Sequence, residues 1–97
     1  GTTIPYEEWY RAQPGDVFVS DGHVGIIVAN YPDRKEIITA EASGSTAGII
    51  TKTKTYATMR QYGNQIQDMT NVYNGTENTN RSIFNQYVNW DTYKRKV

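Results

Sequence analysis

The chain has 97 residues, in which ten Lys and Arg balance ten Asp and Glu, so it is one small domain or a piece of one, with no net charge. That balance gives no general attraction to nucleic acid or to an anionic membrane surface, and no apolar run is long enough to span a bilayer. The absence of cysteine excludes disulfides, thiolate metal sites and a thiol nucleophile within these residues.

Residues 2–12 read as an irregular or short helical segment. Thr3 is its candidate cap, Pro5 suits its first turn, and Tyr6, Trp9 and Tyr10 form one apolar face. Pro14-Gly15 ends it. A short strand is predicted over 17–20 and, after the turn Ser20-Asp21-Gly22, a second over 23–29. This second strand is apolar on both faces, the pattern of a central strand. A turn over 30–33 leads to a third strand over 36–42. Small residues over 44–47 make another turn before a fourth strand over 48–55, where Lys52 and Lys54 alternate with threonines as on an exposed edge. From 63 to 80 the composition shifts to Asn, Thr, Gln and Gly, a long polar connection poor in core residues. Over 81–94, Ile83, Tyr87 and Trp90 share a stripe with Phe84 and Val88 beside it, which predicts a helix capped by Asn80. The expected fold class is α+β: an antiparallel sheet of about four strands within 14–56, the polar connection 63–80, and a C-terminal helix over 81–94.

The single histidine, His23, opens the second strand between Gly22 and Gly25. A three-residue loop centred on Pro32 would place it directly opposite Glu41, on the same face, with Cβ atoms roughly 4.5–5.5 Å apart. The carboxylate would then accept the Nδ1 proton and leave Nε2 free to act on something else. A slip of one residue substitutes Ala42 for Glu41, and a slip of two brings in Ser43. The plainer alternative is a structural histidine bonded to a backbone group. Against it stands Glu41, a carboxylate among Ile37, Ile38 and Ala40 that needs a partner. Asp16, Asp21 and His23 converge poorly as metal ligands. Lys52, Lys54 and Arg60 with Tyr56 and Tyr62 read as a solvated edge rather than a nucleic-acid surface. Ser20, Ser43, Ser45 and Ser82 lie in no nucleophile-elbow pattern.

The run Pro-Gly-Asp, an apolar strand, Ser-Asp-Gly, then His-Val-Gly-Ile-Ile-Val, followed downstream by Ile-Thr-Ala-Glu-Ala-Ser-Gly, resembles the core of the NlpC-like cell-wall cysteine peptidases. This papain-like clan includes the CHAP amidases and bacterial endolysins. The likeness extends over residues 14–53. It implies a papain-like sheet half-domain in which His23 is the general base, Glu41 the polar residue that orients it, and Asp16 a structural turn aspartate. It further implies peptide or amide bonds of peptidoglycan as substrate, with the stem peptide as partner, no metal or other cofactor, and a bacterial or phage protein acting in the envelope or outside the cell. Ser20 and Asp21, beside the imidazole, and Trp9 are the candidate substrate contacts. Core packing accounts equally well for Trp9, Tyr10 and Trp90.

In that family the nucleophilic cysteine opens a helix upstream of these strands, and no cysteine is present here. Three accounts follow. The chain is the sheet half of a larger domain, completed by an N-terminal segment or a second chain that supplies the thiol. Or it is a catalytically inactive binding or structural module, as in a phage tail or an envelope assembly. Or it is a permuted relative with Arg81 or Ser82 at the nucleophile position. The first is preferred.

Overall fold

A computed structural model describes residues 1–42 and 48–70. In chain order they form β1 (Thr2–Ile4), a 3₁₀ helix (Tyr6–Arg11), β2 (Val17–Ser20), β3 (His23–Tyr31), β4 (Glu36–Ala42), β5 (Ile49–Thr55), α1 (Tyr56–Gln61) and β6 (Gln65–Asp68). The strands make one six-stranded sheet in the order β1-β6-β2-β3-β4-β5, every neighbouring pair antiparallel.

The antiparallel sheet and its four expected strands are present, and two more join them. β1 occupies part of the segment read as irregular or helical: Thr3 pairs with Gln67 and caps nothing, while Pro5 holds the N-cap position of the 3₁₀ helix. β6 lies inside the expected polar connection. Its only aliphatic residue, Ile66, is fully buried between Ile4 of β1 and Phe18 of β2. One apolar residue carries no periodicity, so its backbone ladder, rather than its composition, makes this a strand. Helix α1 follows β5 without a break, its first turn capped by the Thr55 hydroxyl, which accepts from the Thr58 N–H at 3.1 Å. The expected helix over 81–94, the turn over 44–47, residues 71–80 of the connection, and Ser43, Ser45, Arg81 and Ser82 lie outside the described residues.

The core sits between one face of the sheet and the two short helices. Trp9, Ala12, Tyr56 and Met59 pack there on Ile4, Phe18, Ile27, Ile37 and Ile66. Asn30, expected in a turn, is instead a buried residue of β3. Its Nδ2 donates to the carbonyls of Trp9 and Ala12, each at 3.0 Å, and its Oδ1 accepts from the Tyr56 hydroxyl at 2.6 Å. One amide thereby binds the Ala12 carbonyl, shares the Trp9 carbonyl with the Ala12 N–H, and ties both helices to the sheet. Asp16 does the same work elsewhere. Its buried carboxylate accepts from the Gln13 N–H at 2.8 Å and the Met69 N–H at 2.9 Å, joining the exit of the 3₁₀ helix to the chain after β6.

The β3–β4 hairpin corrects the expected register. β3 runs on through Tyr31, which pairs with Glu36, so Pro32–Lys35 is a four-residue turn and not a three-residue loop centred on Pro32. The ladder then breaks between Ile27 and Ala29, where Val28 is an extra residue, and resumes as Ile27 with Thr39 and Ile26 with Ala40. A bulge of this kind reverses which side chains share a face. It puts Ile27, Gly25 and His23 on the face that already carries Ile37, Thr39 and Glu41.

Candidate functional site

Carried on past Ala40, this register sets Gly25 level with Glu41 and His23 two residues beyond it. The imidazole and the carboxylate are thus diagonal neighbours, not directly opposed, and they still meet. His23 Nε2 lies 2.7 Å from Glu41 Oε1. Diagonal pairs on one face lie within reach of long side chains, and Gly25 clears the way because nothing projects from it between them. A Cβ on Gly25 would come within 2.3 Å of the Phe18 ring and 3.0 Å of Glu41 Cγ. Phe18, wholly buried, pairs with Gly25 across the β2–β3 ladder and lies with its ring centroid 5.9 Å from that of His23. Gly25→Ala therefore overpacks a position with no slack and is expected to cost about 2–3 kcal/mol, read as a lower urea midpoint. The double variant with Phe18→Leu should recover part of the loss.

Glu41 is the hub of the site. Its side chain is 2% exposed, and four groups meet its oxygens, three as hydrogen-bond donors and Lys52 as a longer ion pair. These are His23, the Thr39 hydroxyl at 2.6 Å, and the ammonium groups of Lys54 at 2.8 Å and Lys52 at 3.8 Å. Lys54 reaches it along the sheet with its Nζ 4.4 Å above the Phe18 ring. Burial pushes the Glu41 carboxyl up, but the hydrogen bonds from Lys54, Thr39 and His23 outweigh it and hold the group at about 2.

An ionised carboxylate only accepts, so Nε2 of His23 carries the shared proton. In the neutral ring the lone pair then sits on Nδ1. This reverses the expected assignment: Nε2 is tied to Glu41, and Nδ1 is the free nitrogen. The His23 side chain is 41% exposed, so its outer edge is open to solvent. The arrangement can take a proton on Nδ1 and stabilise the resulting imidazolium through Glu41.

The other candidates divide. Ser20 pairs with His23 across the two-residue turn, whose second member, Gly22, has φ 69°, and Asp21 stands exposed at its tip. Ser20 is thus the cross-strand neighbour of His23, and Asp21 precedes it by two residues. The reading of Trp9 as a substrate contact is corrected: it is 3% exposed in the core, and its indole N–H donates to the Ile4 carbonyl at 3.2 Å. Asp16 faces backbone N–H groups. Among the described residues, no three His, Asp or Glu side chains gather to hold a metal ion.

Lys54 and Thr39 are members of the site that the linear pattern did not flag. Thr39 was legible in principle, two residues before Glu41 on the same face of the same strand. Lys54 read as an edge guard, and β5 is indeed an edge strand. Its side chain, however, turns inward and is only 22% exposed. Replacing it has a defined consequence for acid stability. A carboxyl held below its ordinary 4.5 contributes stability above that pH and loses it as the pH falls toward about 2. Lys54→Met removes a bond that lowers the Glu41 value. The variant should then be less stable than the parent at pH 7, with the gap narrowing toward pH 2, where the parent has lost the same contribution, as measured by urea midpoints at the two ends. Asp16 acts with the opposite sign: burial lifts its carboxyl, despite the lowering N–H bonds from Gln13 and Met69, so its protonation at low pH favours the fold.

Among the described residues no helix is long and apolar enough to cross a membrane. Compared with protein-family models, with curated proteins and with solved structures, the chain matches none.

Proposed function

We propose that this chain is the histidine-bearing sheet half of a papain-like cysteine peptidase or amidase acting on peptidoglycan, in the envelope or outside a bacterial cell. The observation that supports it best is the His23–Glu41 pair at 2.7 Å, with one imidazole nitrogen fixed and the other open. In this reading Nδ1 of His23 takes the proton of a thiol supplied by an N-terminal segment or a second chain, and Glu41 stabilises the imidazolium. The thiolate attacks the carbonyl carbon of a stem-peptide bond. The imidazolium then returns its proton to the departing amine, and water releases the acyl group from sulfur. Ser20 and Asp21 border the place where the substrate would lie.

The test uses the parent polypeptide, with whatever precedes this segment in its reading frame, incubated with purified peptidoglycan. The expected result is the appearance of new free amino groups, abolished by thiol alkylation and by His23→Ala. A second reading draws on the lack of cysteine: an inactive module that holds a wall peptide or an assembly partner. Retention of the parent polypeptide on peptidoglycan with no new amino groups, together with a parent reading frame without cysteine, would favour it.

A further inference from the structure

A second concave feature lies at the opposite end of β3 from His23. Tyr31, beside it, is eight residues along the strand from His23, about 26 Å at the usual rise. Tyr6, Glu7 and Tyr10 of the 3₁₀ helix, Pro32 and Lys35 of the hairpin turn, and Tyr56 of α1 enclose a cleft of about 160 Å³ there. Two features mark its rim. Tyr10 is 60% exposed, a large aromatic face left in water. Lys35 has φ 53°, the one left-handed non-glycine residue among the described residues, at a turn position where glycine would be unstrained. The hairpin turn takes this conformation at its last residue, where a side chain is strained and glycine is not.

The walls are otherwise rigid. The Tyr56 hydroxyl is held by Asn30 and its N–H donates to the Lys35 carbonyl at 2.9 Å. Tyr6 is set edge-on to Trp9 at 4.8 Å, and the Arg60 guanidinium lies 4.2 Å from its ring centroid. Glu7 and Lys35 form no ion pair with each other or with any other described residue. The cleft therefore offers an apolar, aromatic floor, one side chain that only accepts and one that only donates, with charges that cancel.

We propose that this cleft binds one pyranose ring of a neutral glycan. A pyranose has an apolar C–H face that lies flat on an exposed tyrosine and a rim of hydroxyls that both donate and accept, matching Glu7 and Lys35. A cleft of this size admits one ring. A net anion would meet Glu7, and a net cation would meet Lys35. The proposal is independent of the chemistry at His23, and its failure would leave that reading untouched.

The probe is the trimer of N-acetylglucosamine, titrated into the isotope-labelled chain and followed by NMR. The expected result is saturable shifts confined to Tyr6, Tyr10, Tyr56 and Lys35. Tyr10→Ala should keep the fold, since the ring is exposed, and weaken binding about tenfold, the scale of one lost aromatic contact. Lys35→Gly should keep stability within about 1 kcal/mol and still lose affinity severalfold. The proposal is overturned if the trimer shifts nothing, if the shifts gather elsewhere, if Tyr10→Ala binds as well as the parent, or if free alanine saturates the cleft in place of the sugar.

Discussion

His23→Ala is expected to keep the fold and, on the proposed function, to remove the chemistry. The imidazole is 41% exposed and belongs to neither apolar cluster, so its loss should change stability by no more than about 1 kcal/mol. On the proposed function, turnover of peptidoglycan by the parent polypeptide should fall by roughly three decades or more, because no other group in the site is placed to take the proton of the nucleophile. Thr39 is fully buried, Lys54 is committed to Glu41, and Glu41 is held at about 2 and is far too weak a base. Release of amino groups reports the rate, and circular dichroism with urea reports the fold. A variant that still turns over at the parental rate removes His23 from the mechanism.

Glu41→Ala should do nearly the reverse, with its first effect on the fold. The substitution withdraws the acceptor from a buried hydroxyl, an ammonium and an imidazole at once. Breaking a buried ion pair from one side typically costs 3–5 kcal/mol. Here the lower end applies, about 3 kcal/mol, since Lys54 and His23 can both turn toward water while Thr39 cannot. For a small domain of ordinary marginal stability that is a large share of the total. Glu41→Gln separates charge from shape: it can still accept from Thr39 and should recover part of the loss, while Lys54 stays unpaired. A drop below about 1 kcal/mol in Glu41→Ala would mean that the carboxylate holds nothing together.

Strand content was readable wherever apolar residues were dense. β2 and β4 fall where alternation and turn chemistry place them, and β3 and β5 differ only at their ends. Strands built around one buried residue, such as Ile66 in β6, carry no such signal, and neither does a helix as short as α1. The His23–Glu41 pairing was inferred from a loop length that is not the real one. A longer turn shifted the register, Val28 shifted it back by one, and the net displacement was even, so both side chains stayed on one face. Gly25 then let the diagonal pair close. The orientation of the ring depended on which nitrogen the diagonal approach presents, and strand spacing does not encode that. Lys54 was missed because its inward reach takes it to Phe18, a residue three strands away in the sheet.

The extra residue at Val28 separates the two halves of the hairpin for anyone who would rebuild it. A residue added to the turn at Pro32–Lys35 leaves the pairs of both halves in place, and only a slip of the ladder itself by one position would turn the imidazole to the far side of the sheet. Excising Val28 closes the ladder on the same pairs, Ala29 with Ile38 and Ile27 with Thr39, so the imidazole stays on the face of Glu41. Loop grafts onto this scaffold should therefore be judged by whether they keep those pairs, whatever their length.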